Sequence, residues 1–207
     1  VYETGYEWVN HSLSPKQIDH SDVRISIGGP DCKQPYSASL LNISAMSYGA
    51  LSKNAVIALN QGAKMGGFAH NSGEGGLSPH HLQGGDLIWQ VGTGYFGCRD
   101  NEGNFNPDTF AEKAQNEQVK MIEIKLSQGA KPGHGGILPA AKLTKEIADI
   151  RDVPMGKDVN SPPGHSAFSN PLELMEFIKK LRDLCGGKPI GFKLCVGKRR
   201  EFISICK

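Results

Sequence analysis

Three apolar, strand-like runs in this chain each end in a polar loop rich in glycine, and that repetition restricts the fold more than any other feature. Leu40 to Ile43 leads into Met46-Ser-Tyr-Gly-Ala-Leu-Ser52, and Met65 to His70 leads into Asn71-Ser-Gly-Glu-Gly-Gly76. Val119 to Leu126 leads into Ser127-Gln-Gly-Ala-Lys-Pro-Gly-His-Gly-Gly136. A strand buried on both faces of a parallel sheet reads as a continuous apolar run, and in barrels of strand-helix units the functional loops leave the carboxyl ends of the strands. Helical patterns lie between the runs, so the alternation predicts an α/β fold with a parallel sheet. Successive functional loops at strand ends favour a barrel over a doubly wound sheet.

The regular pattern starts near residue 39. A strand is expected at Leu40 to Ser44, then a helix capped by Ser52 with Ala55, Val56, Leu59 and Ala63 on its buried face. Strands at about Gly67 to His70 and at Leu87 to Val91 follow, and Asn106-Pro107-Asp108 opens a helix running to about Gln115. The strand Val119 to Lys125 precedes a helix at Ala140 to Ile150. Another helix starts at Asn170-Pro171 with Leu174, Ile178 and Leu181 on one face, alongside Met175 and Leu184. Pro189 to Val196 reads as a buried strand, and 198–207 as the start of a helix. Residues 1–38 are polar and turn-rich, an irregular lead-in with one short strand at Val23 to Ile27. A complete (β/α)8 barrel takes about 250 residues. The expectation is therefore a lead-in at 1–38 and, at 39–207, an incomplete barrel of roughly the first five strands, truncated at its carboxyl end.

With 23 basic and 21 acidic residues among 207, the net charge of +2 supplies no field that would draw nucleic acid or an anionic membrane. No stretch approaches about 18 uninterrupted apolar residues, and the amino end lacks a signal pattern. A cytoplasmic protein is the default, while the start at Val1 leaves an upstream membrane anchor open. The five cysteines contain no Cys-x-x-Cys pair and read as reduced thiols.

Lys125 and Lys193 stand in apolar strand runs, Met-Ile-Glu-Ile-Lys-Leu and Ile-Gly-Phe-Lys-Leu, where an unpaired ammonium is costly. One reading pairs these lysines with a neighbouring carboxylate such as Glu123. The other points both lysines into a site that binds anions. Gln128 and Lys131 add donors in the loop beyond Lys125. Gly92-Thr-Gly-Tyr-Phe-Gly97 fits the dinucleotide pattern Gly-x-Gly-x-x-Gly, but Cys98 to Asn104 has loop composition where that fingerprint needs a helix. His70, His80, His81 and Glu74 could be imagined around a metal, yet adjacent loop histidines point different ways and no His-x-x-x-His spacing is present. Neither a Gly-x-Ser-x-Gly elbow nor a phosphate loop appears.

Four segments together carry a resemblance: Ala45-Met-Ser-Tyr-Gly-Ala-Leu-Ser52, Asn71-Ser-Gly-Glu-Gly-Gly76, Ile124-Lys-Leu-Ser-Gln-Gly-Ala-Lys-Pro-Gly133 and Ser161-Pro-Pro-Gly-His165. In order and spacing they resemble the FMN-binding synthase domain of glutamate synthase, especially its stand-alone, large-subunit-like relatives. The resemblance covers about Ser39 to the end and implies an aldolase-type TIM barrel. It also implies an oxidoreductase forming L-glutamate from 2-oxoglutarate and ammonia, with hydride from reduced FMN. By match, Met46, Ser47, Tyr48, Gly49, Asn71, Ser72, Gly73 and Glu74 would contact FMN. Lys125 and Lys193 would be the catalytic cations, and Gln128 and Lys131 would face the substrate carboxylates. The family's iron-sulfur cysteines have no counterpart in this sequence, and neither does its glutamine-hydrolysing domain. Free ammonia, or a protein supplying ammonia or electrons, is the implied partner. Gly133-His-Gly-Gly136 departs from the Gly-Glu-Gly-Gly of the larger synthases, and the FMN phosphate loops of such barrels follow strands seven and eight. Two alternatives stay open: another FMN-barrel oxidoreductase with a different substrate, and a non-catalytic fragment needing a partner.

Overall fold

A computed structural model of the chain describes residues 4–5, 12–15, 17, 23–127 and 135–207. In chain order its elements are β1 (Arg24–Ile27), β2 (Tyr36–Ser39), α1 (Lys53–Gly66), β3 (His70–Asn71), β4 (Leu87–Val91), α2 (Pro107–Ala114) and β5 (Val119–Lys125). There follow β6 (Ile137–Leu138), α3 (Lys145–Arg151), β7 (Val159–Asn160), α4 (Pro171–Leu184), β8 (Ile190–Lys193) and α5 (Arg199–Cys206). Strands β3, β4, β5 and β8 form a four-stranded sheet in that order, every pair parallel. This is a mixed α/β architecture whose sheet is compatible with part of an α/β barrel.

Side-chain alternation gives the two faces of this sheet different jobs. Leu87, Trp89 and Val91 of β4, with Ile122 and Ile124 of β5, join Phe110 and Ala114 of α2 and Leu174, Phe177 and Leu181 of α4 in the main core. Asn71, Gln90, Glu123, Lys125 and Lys193 come from the intervening positions, with Gln90 opposite Glu123 and Lys125 opposite Lys193 in the register. The helices are placed by their caps. Ser52, Asn106, Thr144 and Asn170 each accept a backbone N–H in the first turn of α1, α2, α3 and α4.

Several elements differ from the sequence expectation for local reasons. Leu40 to Ser44 is not a strand; Ile43 alone makes a parallel bridge to His70. Asn42 diverts its neighbours, its amide donating to Ser39 O at 2.8 Å and its oxygen accepting from Ala69 N at 2.9 Å. The helix expected at 140–150 begins as a 3-10 turn, Ala140–Lys142, and restarts at Lys145 because Thr144 caps a new helix. The last strand stops at Lys193, and the hydroxyl of Ser127 takes the N–H of Cys195 at 2.8 Å. Within α1 the buried residues are Val56, Asn60 and Ala63, while Ala55 and Leu59 are half-buried. In α4, Phe177 is buried and Met175 is exposed.

The lead-in contributes a second strand that the sequence reading did not anticipate. β1 and β2 form an antiparallel hairpin, Arg24 opposite Ser39. It lies at the amino ends of the sheet strands, where Tyr36 donates to Asp86 at 3.0 Å and Gln34 donates from its side chain to Gly186 O at 2.9 Å. At the opposite end, β6 and β7 pair antiparallel and enclose α3 in a small lobe. Phe96, Leu138, Leu143, Ile147, Ala148 and Val159 are its core. Among the described residues no helix is long and apolar enough to cross a membrane.

Candidate active site

The carboxyl ends of the parallel strands bring most of the expected site residues together. Lys125, the last residue of β5, is buried with 8% exposure, and its Nζ lies 3.0 Å from Glu74 Oε1 in the loop after β3. Its partner is thus Glu74 rather than the neighbouring Glu123. Glu123 accepts from Asn71 Nδ2 at 2.9 Å and lies 4.0 Å from Lys193 Nζ. Burial lowers the Lys193 pKa, Glu123 partly restoring it and Lys125 lowering it further. Two acids and two lysines therefore alternate across β3, β5 and β8 and their loops.

The loop 46–51 is seated against this cluster by fixed backbone contacts. Met46 donates to Asn71 O at 3.0 Å. His81 Nδ1 accepts from Ser78 N, so Nε2 carries the proton and donates to Met46 O at 2.9 Å. Gly73 has φ of 68°, and a Cβ there would lie 2.7 Å from Ser47 N, so only glycine lets the two loops touch. Ser72 accepts from Gln90 N at 3.1 Å through its hydroxyl. Tyr48 differs from expectation. Its hydroxyl donates to Glu146 at 2.6 Å, which pushes its pKa up to about 12, and so is turned to α3.

Gln128 and Lys131, like His134, lie outside the described residues. The histidines have other occupations than a shared metal: His80 faces Glu146 at 2.8 Å, and His81 bridges Ser78 and Met46. Among the described residues no three His, Cys, Asp or Glu side chains gather as metal ligands would. After Gly92 to Gly97 the chain makes turns, and the next helix begins only at Pro107, which rules out the dinucleotide geometry.

Residues 12–207 match the family description "Conserved region in glutamate synthase". The chain belongs to the glutamate synthase family. It is 46% identical to the glutamate synthase large subunit-like protein YerD of Bacillus subtilis over 198 residues, 94% of this chain and 37% of that protein. With the archaeal glutamate synthase (NADPH) of Methanocaldococcus jannaschii it shares 33% identity over 206 residues, 97% of this chain and 36% of that one. A large subunit-like protein of Rhizobium meliloti is 31% identical over 186 residues, 87% of this chain and 38% of that protein. The chain thus spans well under half the length of these glutamate synthase relatives.

Two further residues, not singled out from the sequence, lie beside these candidate site residues. Gln90, on the polar face of β4, is 1% exposed, and neither its amide oxygen nor its nitrogen has a partner. A polar residue inside the apolar run Leu87 to Val91 was the available signal. Arg151, the last residue of α3, is 6% exposed and donates through Nη2 to Tyr48 O at 3.3 Å, while its Nε is unbonded. Its guanidinium sits 5.3 Å over the Phe96 ring. Burial lowers its pKa, and Glu74 offsets part of that. Arg151 borders a cleft of about 310 Å3 with Ser47, Gly49, Glu74, Lys142 and Ser161. In sequence it is indistinguishable from the basic residue that ends many helices.

Proposed function

We propose that this chain is the amino-terminal part of an aldolase-type (β/α)8 barrel, residues 39–207 behind a lead-in at 1–38, that uses FMN to form L-glutamate from 2-oxoglutarate and ammonia. Ile43, β3, β4, β5 and β8 follow one another in chain order with parallel contacts, as the first five strands of such a barrel do.

The observation that carries the cofactor reading is Gln90. A buried amide with both ends unbonded costs about 1–3 kcal/mol, a burden that a ligand presenting a donor and an acceptor side by side would remove. The pyrimidine edge of a flavin presents both. Gly92, just past the end of β4, lets Glu74 pack against the strand end, since a Cβ there would lie 2.8 Å from Glu74 Cβ. The residues present fit FMN on the ground of the unbonded Gln90 amide. Met46, Ser47, Gly49, Asn71, Ser72, Gly73 and Glu74 would wall the ring, Tyr48 through its backbone alone.

When bound, reduced FMN supplies the hydride that converts the imine of 2-oxoglutarate into L-glutamate. The chain's own work is orientation and charge. Lys193 and Lys125 would offset negative charge on the flavin and the oxo acid. Arg151 and Lys142 would hold a carboxylate at the cleft, and Gln128 and Lys131 would supply further donors. Ammonia arrives free or from a partner protein, and a separate donor supplies the electrons.

The test is anaerobic reoxidation of photoreduced FMN in the presence of the chain. Reoxidation should require 2-oxoglutarate and ammonia together, and Lys125→Gln should slow it by about 100-fold, the scale of losing one preorganised electrostatic group. Reoxidation no faster with both than with either alone would refute glutamate formation. Reoxidation by a different oxo acid would point to another FMN oxidoreductase.

A further inference from the structure

Residues 161–168 cross the carboxyl ends of β4 and β5 and tie them together. Thr93 donates to Pro162 O at 2.6 Å. His165 stands between the two strand ends, its Nε2 2.9 Å from Lys125 O and its Nδ1 3.0 Å from the Tyr95 hydroxyl. A carbonyl only accepts, so Nε2 carries the proton and donates to Lys125 O, which leaves Nδ1 to accept from Tyr95 O–H. The Tyr95 oxygen in turn accepts from Ala167 N at 3.1 Å.

The relay is held on every side. The imidazole stacks on Phe168 with ring centroids 4.6 Å apart and meets Tyr95 edge-on at 5.3 Å. Tyr95 is fully buried and has φ of 48°, a left-handed conformation that a bulky side chain adopts only where its surroundings enforce it. Burial lowers the His165 pKa and so keeps the ring neutral, as the assigned tautomer requires. The carbonyl that receives this chain of bonds belongs to Lys125, whose ammonium meets Glu74 at 3.0 Å.

We propose that His165 and Tyr95 are positioning residues for Lys125: their relay fixes the peptide at the end of β5 and thereby aims the ammonium. The kinetic half of the test rests on the flavin reading above; the labelling half does not. Lys125 is labelled in the free chain with an amine-reactive ester, quantified by mass spectrometry against the exposed Lys179, in wild type, Tyr95→Phe, His165→Ala and His165→Gln. Tyr95→Phe and His165→Ala should raise relative labelling of Lys125 about fivefold as the strand end loosens. His165→Gln keeps an N–H donor for Lys125 O and should return it to within about twofold of wild type. In flavin reoxidation the first two should lower kcat about tenfold with KM for the oxo acid little changed, the pattern of a misaimed group. Equal labelling of Lys125 in all four proteins would overturn the proposal, as would His165→Gln behaving like His165→Ala with unchanged circular dichroism. Should His165→Ala fail to fold, Tyr95→Phe and His165→Gln still decide. Absence of reoxidation in wild type as well would count against the flavin reading, while the labelling would still decide on positioning.

Discussion

Lys125 and Arg151 are cations held largely out of water, and both depend on Glu74. The carboxylate meets Lys125 at 3.0 Å and offsets part of the burial that lowers the Arg151 pKa. An acid placed so keeps these cations from being held out of water without a counter-charge. His70 tells a different residue-scale story. It is fully buried, neither ring nitrogen has a partner, and burial, then His81, push its pKa down to about 4. The unfolded state, with an ordinary pKa near 6.5, binds more protons between these values. Stability is therefore full above about pH 6.5 and falls as pH drops towards 4, by roughly 3 kcal/mol from this group. Urea unfolding at pH 7 and pH 4.5 measures the loss. His81 and His165, whose pKa values burial also lowers, add to it in wild type. His70→Leu isolates the His70 share by making the fall roughly 2 kcal/mol smaller; an unchanged fall would remove His70 as a cause.

At the scale of elements, docking depends on polar groups as much as on apolar faces. Asn60 on α1 is buried, and its oxygen accepts from Gln83 N and Gly85 N, each at 3.0 Å, fixing the turn that feeds β4. Asn60→Leu leaves those two N–H groups unsatisfied and should cost about 2–3 kcal/mol in denaturant unfolding; a loss under about 0.5 would contradict the assignment. This residue also shows where sequence reading runs out. Apolar spacing pointed to Leu59, which is half-buried, because a buried amide leaves no periodic signal. Strands β4 and β5 and the caps of α1, α2 and α4 were legible, since each combines an apolar run or a capping side chain with a glycine or proline boundary. Strand β1 was legible as well, but its partner β2, the β6–β7 pair and the break before α3 were not, because they are set by partners distant in sequence or by one threonine. Of the candidate site, the sequence pointed to the lysines and the glycine loops, which the fold gathers at one end of the sheet. Gln90, Arg151 and the real partner of Lys125 needed the third dimension.

Across the whole molecule the two ends of the sheet differ in chemistry. The amino ends are covered by the hairpin, with Tyr36 on Asp86 and Lys188 on the carbonyls of Ala114 and Asn116. The carboxyl ends carry the acids, lysines, buried glutamine and arginine, and the lobe around α3 stands over them. The central claim is that FMN binds at the second of these ends. The most direct measurement is a titration of the isotopically labelled chain with FMN, followed by nuclear magnetic resonance. Saturable shifts are predicted at the amides of Ser47, Gly73, Gly92 and Lys125 and at the side-chain amide of Gln90, with Tyr36 and Lys188 unmoved. No saturable shift at those groups up to about 1 mM FMN, or shifts confined to the hairpin end, would contradict the account.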